Sequence, residues 1–445
     1  MNIFKAVLSL ALFLCFSKPL YSQEFNSYGG FIKDFPGVTV ADTFKIKISG
    51  IKDTINSTFG IAKVCFTIAH SLTSDLKVEL FAPDGTGIWL TNRNGNENGE
   101  NYTFTCFKSN GFTGYIHEGS NPFSGEFIPD GRMEYLNNGQ SPNGIWKLLI
   151  TDLKSGDTGK LLNWSLFFND NPNPNNASRP CGMENPDACK CHLDASNCTL
   201  LPDLVLLPEF TKNQIKEYQW NHYQYAGQLR LAASIANIGN GPMETFGKNE
   251  WFCGNSKVTG SIRCSDGSFS RQKLYQRIYK LENKNIIFED VPAGTNYYDD
   301  KPGHNHYHVD SWISFKLYRP AKKSRKRKLM GEGEKVSYCL FDTGILQNDH
   351  LSVVDGVMYG DKNLPNYGFG YFPDCKPGVQ GISVGGYDTY GMLYEGQYID
   401  LPKKLKPGKY ELEIEIDPDN KYRELNKENN VFSMLIDLNK QKGKR

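Results

Sequence analysis

Tyr410-Glu411-Leu412-Glu413-Ile414-Glu415-Ile416 alternates apolar and acidic residues with a period of two. Successive side chains of an extended chain point to opposite faces, so this spacing predicts a half-buried strand with a charged outer face. Asp417-Pro418-Asp419-Asn420 supplies a turn, and Val431 to Ile436 a returning strand. The same period recurs upstream. Leu229, Leu231, Ala233 and Ile235 form one face before Asn240-Gly241-Pro242, and Val64, Phe66 and Ile68 alternate with Cys65 and Thr67. Leu76, Val78 and Leu80 repeat it, as do Trp146, Leu148 and Ile150, and Leu162, Trp164, Leu166 and Phe168. The fold class is therefore all-β: an N-terminal antiparallel β-sandwich, then a second mostly β unit whose long loops carry its function.

At 445 residues, 39% hydrophobic and 22% charged, the chain is long enough for two domains that each bury a core. Net charge is +1, which gives no pull toward nucleic acid or an acidic partner. Lys5 precedes the apolar run Ala6 to Phe16, reading as a signal peptide over 1–22 with cleavage near Ser22. Leu14 stands before Cys15 where a lipoprotein signal wants a small residue, and no stretch is long enough for a membrane anchor. The expected product is secreted or periplasmic. The first domain is expected over 23–170, and the polar, proline-punctuated run from Asn169 opens a linker with a cysteine quartet over 171–200. The second domain then spans 201–438 and a basic tail 439–445, with the two domains expected to be separable near Leu201.

Beyond Cys15 there are ten cysteines, an even number that in an exported chain reads as disulfides. Cys181, Cys189, Cys191 and Cys198 fit no common zinc spacing, so bridges are expected there too. Cys65 and Cys106 stand alone in the first domain and are expected to pair, as are Cys339 and Cys375. Lys322 to Lys328 is a dense basic run, read as a solvated loop tip.

The chemistry gathers at Gly303-His304-Asn305-His306-Tyr307-His308, three of the chain's eight histidines within five residues. Imidazole suits copper, zinc, iron and nickel. A straight strand would spread the first and last ring by roughly 13 Å, too far for one ion, so the run should bend or bulge at a strand end.

Two resemblances follow. Ser74-Asp75-Leu76-Lys77-Val78-Glu79-Leu80 with Ala82-Pro83-Asp84-Gly85-Thr86, and Asn143-Gly144-Ile145-Trp146-Lys147-Leu148 running to Asp152, Gly156-Asp157-Thr158-Gly159 and Trp164-Ser165-Leu166, resemble the P domain of subtilisin-like proprotein convertases. That implies a jelly-roll sandwich in an accessory role, in which Asp75, Asp84, Asp152 and Asp157 could bind calcium. Leu201-Pro202-Asp203-Leu204-Val205, the histidine run, Lys335 ahead of Cys339-Leu340-Phe341-Asp342-Thr343, Tyr387-Asp388-Thr389-Tyr390-Gly391, Lys406-Pro407-Gly408-Lys409-Tyr410 and Glu428-Asn429-Asn430 look like the lysyl oxidase catalytic domain, in order.

The second resemblance implies copper held by His304, His306 and His308, and a lysyl tyrosylquinone formed from Lys335 and Tyr390. It also implies oxidation by dioxygen of a primary amine, free or on a lysine-bearing protein, to aldehyde, peroxide and ammonia. Asp388, beside Tyr390, is the candidate base and Asp342 the second. The segment before His304, Asp-Asp-Lys-Pro-Gly, and Asp310-Ser311 depart from the animal pattern. A cupin-type oxygenase would want a glutamate shortly after the histidines, which Val309 to Phe315 lacks. The alternative outside enzymes is a secreted metal-binding or adhesive protein, against which the joint presence of Lys335 and Tyr390 argues.

Overall fold

The computed structural model describes all residues except 1–21, 97, 111–112, 173–180, 192–194, 302–303, 322–325, 335, 376 and 442–445. The signal peptide, most of the proline-rich linker, Lys335 and half of the basic run therefore lie outside the described residues. The regular secondary structure is almost all strand, with one short α-helix, Pro208–Asn213, among the described residues.

The first domain is two packed sheets. One is ordered Gln23–Tyr28, Gly159–Asn169, Gly60–His70, Tyr102–Phe107, Gly125–Ile128, Gly114–Tyr115, and the other Ala41–Ile48, Gly144–Asp152, Leu76–Phe81, Gly87–Asn92. The inward residues of both interdigitate: Val64, Phe66, Ile68, Val78, Leu80, Trp146, Leu148, Trp164 and Leu166 are at most 1% exposed. Such faces are what period two produces when two sheets close on each other. One position departs from the pattern. Between Leu161 and Asn163 the ladder slips against Gly60–His70, so Leu161 is buried while Leu162 is 41% exposed. A bulge there carries Leu162 to the outer face.

The second domain is built on a long sheet ordered Ser256–Val258, Met243–Cys253, Arg271–Glu282, Asn285–Asp299, His306–Arg319, Gly408–Ile416, Val431–Leu438. A smaller sheet, Leu204–Leu206, Ala233–Asn237, Gly386–Tyr390, Gly344–Ile345, lies against it, sharing a core that includes Leu231, Ile235, Trp312, Phe315, Leu412 and Ile414. In Gly408–Ile416, Tyr410, Leu412, Ile414 and Ile416 face that core as the alternation requires. Its acidic face is not bare: Lys316 reaches Glu415 at 2.7 Å and Arg327 reaches Glu413 at 2.5 Å, leaving Glu413 only 6% exposed. The ends of the domain meet where Asn429 donates to Asp203 at 2.8 Å and the Leu204 amide to Glu424 at 3.0 Å.

Five disulfides are formed: Cys65–Cys106, Cys181–Cys189, Cys191–Cys198, Cys253–Cys264 and Cys339–Cys375. The cysteine quartet is no loose connector, because Cys181, Cys189 and Cys191 pack on Tyr279, Leu281 and Phe369 and Asn197–Leu200 pairs with Arg271–Glu282. The start of the tail is likewise held, by Asn439 and Gln441 on Glu217.

The two domains share a buried junction. Arg132 meets Asp342 at 3.3 Å with side chains 9% and 0% exposed, and the Tyr135 hydroxyl also donates to Asp342. Tyr115 donates to Asp349 at 2.9 Å and packs in one apolar cluster with Leu207, Phe210 and Tyr387.

Candidate metal and redox site

Asn285–Asp299 and His306–Arg319 form a hairpin in which Asp299 opposes His306 and Tyr297 opposes His308. The run leaves regular strand just before His306, and Asn305 sits at φ 55°, the left-handed region that asparagine tolerates better than most residues. That reversal swings His304 back over the strand. Nδ1 of His304 lies 3.1 Å from Nε2 of His308, which lies 2.9 Å from Nε2 of His306. Ligand atoms of all three residues fall within 4.8 Å of one another. Two nitrogens bound to one ion at about 2.0–2.1 Å stand about 3 Å apart, so the spacing is that of a metal site.

Burial supplies the second requirement. It holds His304 and His306 well below the ordinary imidazole range and His308 down to about 3, with like-charged neighbours acting in the same direction. Three neutral imidazoles with ring nitrogens this close suit copper, zinc, iron or nickel alike. Asp299 lies alongside, its Oδ2 3.6 Å from Nδ1 of both His304 and His308, and only for His308 is that the nitrogen turned away from the cluster. A carboxylate there favours the tautomer that leaves Nε2 of His308 free to ligate.

Tyr390 ends the strand Gly386–Tyr390 and is 4% exposed. Its ring stacks on Tyr338 with centroids 3.6 Å apart and planes 6° from parallel, and lies 6.4 Å from the His308 ring. The Cys339 amide donates to its phenolic oxygen at 2.7 Å. The structure thus brings Tyr390 against the histidines. Lys335 lies outside the described residues, while Glu334, Val336 and Ser337 line the same cavity as Tyr390, His304 and His308. That cavity holds about 610 Å³, within the range of small-molecule sites.

The two acids singled out from the sequence sit elsewhere. Asp388 is fully buried behind Tyr390, neither oxygen in hydrogen-bond geometry with a partner, and is absent from the cavity wall. Burial, then the Asp342 charge, push its carboxyl well above the usual range, and the nearby Thr389 amide opposes this weakly. Asp342 is committed to Arg132 and to the Ser383 amide. Of the calcium candidates, Asp84 stands apart, accepting from Thr86 and Asn138. Asp75, Asp152 and Asp157 lie near one another, with Asp152 beside His70 at 3.4 Å and Asp157 accepting from Ser71, but among the described residues they do not close to the spacing of a metal-ligand group. Among the described residues the other close ligand group is His306 with Cys339 and Cys375, and those two cysteines are bonded to each other.

Sequence reasoning missed Tyr338, although Val336-Ser337-Tyr338 alternates and hinted at an inward ring. It also missed the first domain's share of the cavity: Leu72, Ser74, Asp75, Arg93, Leu153 and Lys154 line it. No local pattern could have signalled that. The described members of the basic run stand away from it, Arg327 being held by Glu411 and Glu413.

Comparison with known proteins agrees with this division. Residues 272–444 match the lysyl oxidase family model and residues 61–168 the proprotein convertase P-domain model. Protein-lysine 6-oxidase of Homo sapiens is 32% identical over 128 residues, 29% of this chain and 25% of that protein. The Sus scrofa enzyme is 32% identical over 133 residues, 30% of this chain and 44% of that protein. The matches thus span a quarter and somewhat less than half of these relatives' lengths. Among solved structures, the Aeromonas sobria serine protease in complex with its chaperone covers 34% of this chain and 27% of that chain at 16% identity. Its TM-score of 0.19 carries no argument.

Proposed function

We propose that this chain, which carries a lysyl oxidase domain behind a proprotein convertase P-domain, is an exported copper-dependent amine oxidase. It would convert primary amines, peptidyl lysine among them, to aldehydes with release of peroxide and ammonia. The observation that carries the reading is the convergence of three imidazoles, His308 buried and the other two half-buried, with His308 beside the stacked phenol of Tyr390. Export is supported by the N-terminal apolar run and by five disulfides. No helix among the described residues is long and apolar enough to cross a membrane.

In this reading His304, His306 and His308 would hold copper, and Tyr390 and Lys335 would furnish the quinone cofactor; with dioxygen the metal would supply the oxidation that the phenol of Tyr390 requires. The protein's own contribution is positional. Tyr338 fixes the plane of the Tyr390 ring, and the Cys339 amide marks where its oxygen rests. Asp299 is the carboxylate on the cavity wall nearest the histidines, so it, rather than the enclosed Asp388, is assigned the α-proton of a bound amine. Lys301, paired with Glu395 at 2.9 Å, closes that side of the wall. Copper-loaded protein supplied with a primary amine in air should release peroxide, and phenylhydrazine should block it. Loaded protein that releases none with any primary amine, free or peptidyl, contradicts the reading.

A further inference from the structure

The strand Gly87–Asn92 is the outer strand of its sheet, an edge that would ordinarily face water. Ile88 and Leu90 point into the first domain's core at 2% and 0% exposure, so Trp89 between them points out of the sandwich. It points at the second domain. Its ring lies 4.7 Å from Phe341 at 62° and 6.3 Å from His306 at 45°, both within the range of aromatic contact. Trp89 and Arg93 also enclose, with His304, His306 and Tyr390, a small space next to the larger cavity, with which it shares Arg93, His304 and Tyr390. The segment under Trp89 is gripped twice more from the first domain, since Asp342, next to Phe341, binds Arg132 and Tyr135. Two residues before Phe341, the Cys339 amide is the donor on Tyr390.

We propose that Trp89 is a positioning residue for the metal centre of the other domain, so that the P-domain is a fixed wall of the active site. The inference rests on His304, His306 and His308 being that centre. An imidazole ligand is useful only while its ring orientation is held, and swinging His306 about its side-chain bonds would carry Nε2 away from the other two. The indole blocks that motion and keeps water off the His306 face, two effects by which surroundings raise metal affinity.

The test uses the full chain and cobalt(II) as a spectroscopic probe, with affinity measured by chelator competition. Trp89→Ala is expected to weaken cobalt binding by roughly 10- to 100-fold, the usual range for removing a group that supports a ligand, and to change the visible absorption of bound cobalt. Trp89→Phe should keep most of the affinity. Tyr115→Phe, which breaks the separate contact to Asp349 at the same junction, should leave affinity and spectrum unchanged. If Trp89→Ala does not fold, Trp89→Leu against Trp89→Phe makes the same comparison between an aliphatic and an aromatic contact. Equal affinity in wild type and the Trp89 variants, with His306→Ala impaired, overturns the role of Trp89 alone. Wild-type binding indifferent to all three histidines overturns the metal centre itself.

Discussion

Arg132→Met should weaken the protein more than any exposed substitution, because it strands a carboxylate. Arg132 Nη1 and Asp342 Oδ2 are 3.3 Å apart and nearly waterless. At an effective dielectric of about 20 that distance corresponds to about 5 kcal/mol of attraction. Methionine keeps much of the aliphatic volume, so most of the loss is electrostatic. Asp342 retains the Tyr135 hydroxyl and the Ser383 amide, and burial, which already raises its pKa, lets it take a proton. The net cost should therefore fall near the lower end for a broken buried pair, about 3 kcal/mol. Urea unfolding followed by tryptophan fluorescence would read it, and calorimetry should show the domains ceasing to melt together. A cycle with Asp342→Asn should give a coupling of roughly 2 kcal/mol. A cost below about 1 kcal/mol, with the two substitutions additive, would refute the claim that this pair locks the junction.

Burial raises Glu424 from its ordinary 4.5 to about 7, so between those values the folded protein keeps a proton that the unfolded chain has released. Stability relative to Glu424→Gln should then fall by roughly 3 kcal/mol as pH rises from about 4.5 to 7, and pH-independent denaturation differences would count against it. Tyr390→Phe leaves the buried Cys339 amide without its acceptor; a loss of about 1–2 kcal/mol is expected on thermal unfolding, together with loss of amine-dependent peroxide. A chain starting near Leu201 would lack the strand Asn197–Leu200 and uncover Phe341 and Asp342. It is expected to express poorly or melt well below the full chain, and an equal melting temperature would show the junction to be dispensable.

The strands were legible because burial of one face writes a period of two into the sequence, as in Tyr410 to Ile416. The same rule misplaced Leu162, since one extra residue in the ladder reverses every side chain after it. The reversal at Asn305 could be anticipated from the need to bring rings at positions 304 and 308 together, but the partner Asp299 could not. Asp388 looked available because it neighbours Tyr390, yet it shares that residue's strand face and is sealed behind the phenol. The junction was illegible for a general reason. Arg132 and Asp342, or Trp89 and His306, are ordinary residues in their own segments, and meaning arises only when residues more than 200 positions apart meet.

The proposed function requires Lys335 and Tyr390 to become one cofactor under the control of the three histidines. Peptide mass mapping of the full chain, before and after loading with copper in air, tests it most directly. Separate Lys335 and Tyr390 peptides are expected in metal-free protein and a single crosslinked peptide after loading. That peptide should be absent in Lys335→Arg, Tyr390→Phe and His306→Ala, and should form in step with amine-dependent peroxide release. Copper-loaded protein that oxidises amines while both residues remain unmodified would contradict it.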